Sequence, residues 1–184
     1  MIGLIVLIIV IALVITYIVM YNGLQRAKVN TDEAWSQIDV QLQRRNDLIP
    51  NLVETTKGYA KHERETLDEV VGLRNKIMQL PADAHQEKME ISNQLTDALK
   101  SIFALSENYP DLKASQEFSQ LQEELTNTEN KIAYSRQLFN SSAALYNQKL
   151  VTFPSNMVAH IHHMTKVNYL ETPSAAKEAP KVSF

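Results

Sequence analysis

Apolar and polar positions divide the chain into two regimes. Over residues 2–20 almost every position is Ile, Leu or Val, and no charged residue occurs before Arg26. A helix of roughly 20 such residues rises about 30 Å at about 1.5 Å per residue, the thickness of a bilayer's hydrocarbon core. The run is apolar on every face, which suits lipid better than the core of a soluble protein. Tyr17 and Tyr21 lie near its end, where amphipathic rings favour the headgroup layer. No basic residue precedes the run and no A-x-A pattern follows it. It therefore reads as a retained transmembrane anchor over residues 1–22, not as a cleaved leader.

Beyond Gly23 the pattern turns amphipathic with a helical period. Trp35, Ile38, Leu42, Ile49 and Leu52 recur at spacings of three and four, or multiples of them. Arg45 falls on the same stripe. A guanidinium there reaches the rim of a helix seam or pairs with a facing carboxylate, and Asp39, Glu124 and Glu129 are the candidates. Pro50 has no N–H for the carbonyl of Asn46, so one long helix with a kink is expected. Val53, Thr56, Ala60, Leu67, Val70, Val71, Arg74, Ile77 and Met78 carry the apolar face onward. Gly58 weakens that helix without stopping it, and the turn signals within residues 79–85 end it. A second helix is expected over residues 86–107, with Ile91, Leu95, Leu99, Ile102, Phe103 and Leu105 on its buried side. Asn108 to Asp111, with Pro110, is turn chemistry.

The most regular pattern follows. Phe118, Leu125, Ile132, Phe139, Tyr146 and Phe153 are seven residues apart, with Leu121, Thr128, Ser135 and Ser142 between them. This heptad predicts a long helix packed at a shallow angle, and its small polar seam residues permit close approach. Leu138, Ala143, Leu145 and Leu150 widen the apolar face, as expected where two partners are touched. Pro154 stops the helix. Residues 156–171 are half apolar, too short and polar to span a bilayer, and suit either the membrane interface or a neighbouring copy. Residues 172–184 have the composition of an extended tail. Val182 and Phe184 there belong either to a frayed end or to a short motif that docks on another subunit.

Composition narrows the chemistry. The net charge of −3 offers nothing to nucleic acid. With no cysteine, disulfides and thiol chemistry are excluded. Only 4 glycines and 7% aromatics favour long helices over strands. Arg26 and Lys28 flank the anchor, so the positive-inside rule places the N-terminus outside and the body of the chain in the cytoplasm. His62-Glu63 opens like a zinc motif, but its closing position is Thr66. None of the five histidines follows a Glu by three residues, as a di-iron bundle requires. His160 and His163 are expected on one helix face, as a polar cluster or a weak divalent-ion site. Asn140-Ser141-Ser142 matches a glycosylation sequon by chance. No metal, cofactor or catalytic residue is assigned.

Several blocks together resemble the LemA family: the run from Trp35 to Val53, then Gly58-Tyr59-Ala60-Lys61-His62-Glu63, then Tyr109 to Ala114 leading into Leu121 to Leu125. Glu129 to Gln137, Tyr146-Asn147, Phe153-Pro154-Ser155 and Pro180 to Phe184 continue it in order. The resemblance implies a single-pass protein of the bacterial cytoplasmic (inner) membrane, without enzymatic activity or cofactor. It implies an all-α fold, in which an N-terminal transmembrane helix leads into an antiparallel three- to four-helix bundle over residues 23–155 with long, coiled-coil-like helices. Trp35, Asp39, Arg44, Arg45, Pro50, Asn51, Glu129 and Arg136 are the structural residues of its motifs. The segment around His160 to His163 replaces an aromatic-rich stretch common in the family.

Two functions are compatible with this pattern. One is a scaffold that self-associates and organises or shapes a membrane patch, through Phe118, Leu125, Ile132, Phe139, Tyr146, Leu150, Phe153, Val182 and Phe184. The other is an adapter or regulator of another membrane protein, such as a protease or an envelope-stress component. A metal-binding bundle is a third, weaker reading. The expected partners are the lipid bilayer and further copies of the chain.

Overall fold

A computed structural model describes residues 1–60 and 62–171. The chain forms α1 (Ile2–Tyr59), α2 (Arg64–Gln79), α3 (His85–Leu105), a 3₁₀ turn at Ser106–Asn108, α4 (Pro110–Lys113), α5 (Gln116–Val151) and α6 (Ser155–Ile161). Among the described residues there is no strand. The all-α expectation, an apolar N-terminal helix followed by further helices, holds. Two compact units divide the chain. One comprises residues 1–37 and 135–169, and the other residues 38–134 together with 170 and 171.

In the second unit the core joins Ile49, Leu52, Leu67, Val70, Leu73, Ile77, Leu95, Leu99, Ile102, Phe118 and Leu125. The stripe on α1 and the first positions of the heptad on α5 are thus buried as their spacing predicts. The expected uninterrupted helix to residue 79 is corrected. α1 stops at Tyr59, and α2 starts at Arg64. The residues from Lys57 to Tyr59 are exposed, so the last turn buries nothing that would offset the cost of Gly58. The Ala60 N–H donates to the Thr56 carbonyl at 2.8 Å, and the Glu63 N–H to the Ala60 carbonyl at 3.2 Å. This turn lets Leu67, Val70, Leu73 and Ile77 reach the core that holds Ile49 and Leu52. A straight helix would carry Ile77 about 27 Å past Tyr59, away from it.

In the first unit, α1 contributes residues 2–37 and meets α5 from Ser135 onward. Trp35 packs edge-on against Phe139, with ring centroids 6.0 Å apart. Further along, α6 covers Leu24 with Val158 and Ala159. α6 closes with paired bonds, from the His163 N–H to the His160 carbonyl at 3.1 Å and from the Met164 N–H to the Ala159 carbonyl at 3.0 Å. This closure requires a left-handed residue, and His163 has φ 49°. His160 and His163 therefore do not share a helix face, which corrects that expectation. The apolar start of α1, of mean hydropathy 3.3, has none of its residues buried in protein. Its Ile, Leu and Val side chains keep roughly half of their area or more open, an area that lipid covers without cost.

Candidate functional site

The second unit holds a charged side chain that is fully buried. Arg45 lies on the inward stripe of α1, 0% exposed, among apolar neighbours. Desolvating a guanidinium without partners costs several kcal/mol, so its surroundings must answer it. Nη1 donates to Glu129 Oε2 at 2.8 Å and to Thr96 Oγ1 at 3.0 Å. Nη2 donates to Ser92 Oγ at 2.5 Å and towards the Ser92 carbonyl at 3.3 Å. Thr96 Oγ1 lies 2.9 Å from Glu129 Oε2 and 3.0 Å from the Ser92 carbonyl, one of which takes its hydrogen. Three helices, α1, α3 and α5, are thereby joined through one side chain. Of the carboxylates named as candidates, Glu129 is the partner. Glu124 lies 3.7 Å from Arg44 instead, and Asp39 accepts from Lys88 Nζ at 3.0 Å. Both of those pairs reach solvent and contribute little.

The α3 side of this cluster was absent from the sequence reading, although a signal exists. Lys88, Ser92 and Thr96 recur every four residues and form a polar stripe on one face of α3. Arg74 was likewise read only as part of an apolar face. α1 passes Pro50 without a break, and the Asn46 carbonyl that Pro50 cannot serve accepts from Arg74 Nε at 2.8 Å. A helix from elsewhere in the chain thus supplies the missing donor. Arg74→Leu is expected to destabilise this unit by about 1–2 kcal/mol, because the half-freed carbonyl is left without its partner. Urea unfolding followed by circular dichroism measures it, and an unchanged midpoint would remove Arg74 from this role.

The seam residues of α5 turn inward. Phe118, Leu125, Ile132, Phe139 and Tyr146 are all nearly fully buried within the chain, with Leu121, Thr128 and Ser135 beside them. Their area is taken up by the chain's own helices. Leu150 is half-buried beside Leu24 and Val158. Phe153 is 75% exposed. Val182 and Phe184 lie outside the described residues. Among the other motif residues, Trp35 and Arg136 are buried, whereas Pro50 and Asn51 are exposed. Burial pushes the Tyr146 phenol above its usual range, aided by the Asp32 carboxylate. The Tyr109 phenol is raised by its hydrogen bond to Glu63, which it donates to Oε1 at 3.0 Å. That bond ties the segment before α2 to the start of α4.

Between α3 and α5 lies a groove of about 180 Å³ lined by Leu99, Phe103 and Leu125 together with Thr96, Lys100, Thr126, Glu129 and Asn130. Most of its open surface is apolar. No three His, Asp or Glu side chains converge on a metal-sized site among the described residues.

Comparison with known proteins gives this arrangement its context. Protein LemA of Metamycoplasma hominis is 29% identical over 143 residues, covering 78% of this chain and 65% of that protein. The chain thus spans just under two thirds of that relative's length. Magnetosome protein MamQ of Magnetospirillum gryphiswaldense is 25% identical over 189 residues, covering 90% of this chain and 70% of that protein. Magnetosome protein MamQ 1 of Paramagnetospirillum magneticum is 24% identical over 190 residues with the same coverage. With an apolar N-terminal helix and these relatives, the chain is a membrane-associated helical protein. The family model described as LemA family matches residues 34–184, which takes in the stripe of α1, the Arg45 cluster and all of α5, and the chain belongs to that family.

Proposed function

We propose that the protein is a non-enzymatic scaffold, held in a bacterial inner membrane by α1, that self-associates and organises or shapes a patch of that membrane. The observation that supports this reading is an apolar edge of the α5 seam that the chain leaves partly open. Leu138 and Leu145 are seven residues apart and run along one edge of the seam, with the seam residue Ser142 between them. Leu138 and Ser142 are half-buried and Leu145 is 61% exposed. A small residue between two leucines lets a second helix come close. Arg26 and Lys28 favour the cytoplasmic side for the helical body.

The adapter reading has its own support in the groove between α3 and α5, where Leu99, Phe103 and Leu125 suit an apolar side chain from another protein. One experiment separates the two. The full chain is extracted in mild detergent and its particle mass is followed by light scattering across a concentration series. The scaffold reading expects an oligomer that Leu145→Asp returns to monomer with helical content unchanged. A monomer at every concentration, with membrane crosslinking dominated by one foreign protein, would leave the adapter reading in its place.

A further inference from the structure

We propose that residues 153–166 form a second membrane contact, a foot that seats on the anionic phospholipid surface into which the start of α1 inserts. This inference stands apart from self-association, because it concerns only how one chain meets lipid.

The level of the foot along α1 is set by direct contacts. Tyr17 lies within the apolar run, and its hydroxyl is 2.7 Å from His162 Nε2. The Tyr21 ring lies 4.6 Å from the His162 ring. Val158 and Ala159 pack on Leu24, with Met20 and Tyr21 alongside. These contacts confine α6 and the turn after it to the stretch of α1 from Tyr17 to Leu24, about 10 Å of helix. That stretch is the end of the bilayer-length run, where tyrosines occupy the headgroup layer. A helix fixed there cannot avoid the lipid boundary.

What the foot presents matches that boundary. Phe153, Met157 and Ile161 recur every four residues and are 75%, 58% and 61% exposed. Met157 and Ile161 also line an open concavity of about 580 Å³ with Leu150 and Met164. Apolar side chains exposed beside an anchor enter the acyl boundary at little cost, typically to a depth of about 5–10 Å. The charge agrees. Residues 135–169 contain no Asp or Glu. In the first unit Arg26, Lys28, Arg136, Lys149 and Lys166 are matched only by Asp32 and Glu33, a formal charge of +3 against −3 for the whole chain. Lys149 and Lys166 are exposed, and Lys149 reaches the neighbourhood of Gly23 on α1. Cations at this level attract anionic headgroups.

The test uses the full chain, whose lack of cysteine permits clean single labels. Met157→Cys, Ile161→Cys and, as a control on an exposed aromatic of α5, Tyr134→Cys are labelled with an environment-sensitive fluorophore. Each is reconstituted into phosphatidylcholine vesicles with and without phosphatidylglycerol. Shallow spin-labelled lipid is expected to quench the labels at 157 and 161 about threefold more than the label at 134, and more strongly with phosphatidylglycerol present. Iodide access at 157 and 161 equal to that at 134, without lipid quenching, would overturn the foot. Equal quenching in both lipid compositions would overturn its anionic specificity. Self-quenching relieved by dilution with unlabelled chain would assign the surface to a second copy, and would also overturn the proposal.

Discussion

A chain lacking residues 2–20 is expected to leave the membrane pellet for the supernatant. The segment carries fourteen Ile, Leu and Val side chains. At about 0.3–0.6 kcal/mol each near mid-bilayer, they favour insertion by about 4–8 kcal/mol. At 1.4 kcal/mol per tenfold change, that is a partition shift of about a thousandfold to a millionfold. The Ile, Leu and Val side chains of this segment are not buried in protein, so deletion exposes no core and removes only the contacts that Tyr17 and Met20 make with the region of α6. Helical content and the unfolding midpoint of the remainder are expected to stay near those of the full chain. Fractionation at low and high salt provides the measurement. The foot predicts a small residual bound share that salt removes, because its cations act through screened attraction. A truncated chain that sediments as the full chain does, at every salt concentration, would refute membrane attachment through α1.

The parts of this structure that repeat were readable in advance. Trp35, Ile38, Leu42, Ile49 and Leu52 on α1 and the seam from Phe118 to Tyr146 on α5 are buried, because a helical period leaves an apolar stripe no other stable place. The seam's destination was not readable. A heptad says that a helix needs a neighbour, and the same pattern serves a second copy or the chain's own helices. Here the chain's own helices fill it. The break after Tyr59 escaped because its cause is tertiary. Gly58 costs too little to end a helix alone, and the turn forms because α2 gains a core by folding back. The Arg45 cluster was legible by half. One buried cation on a stripe demands a carboxylate, and Glu129 was among those named. Ser92 and Thr96 were missed because short hydroxyl side chains look alike on a solvated face and on a buried one. His163 at positive φ was missed because a histidine carries none of the glycine signal that marks such helix ends.

Glu129→Leu is expected to destabilise the second unit by about 3 kcal/mol or more, and Arg45→Met by clearly less. The two substitutions break the same bond but leave different survivors. Without Glu129, a guanidinium whose side chain is 1% exposed keeps its charge and loses the carboxylate 2.8 Å from its Nη1. Ser92 and Thr96 offer it dipoles, not charge. Without Arg45, the carboxylate that remains is 33% exposed and is solvated from its open side. Ser92 and Thr96 keep a bond to each other. Methionine fills much of the vacated stem volume with a flexible apolar chain. The double variant Arg45→Met with Glu129→Leu is expected to recover most of the loss, since a matched apolar pair in such a site is often neutral or stabilising. A double-mutant cycle in urea, read by circular dichroism on the full chain in detergent, gives the coupling directly. If the two losses were equal and strictly additive, the pair would not be acting as a charge pair at all, and α1, α3 and α5 would owe their register to the apolar stripes alone.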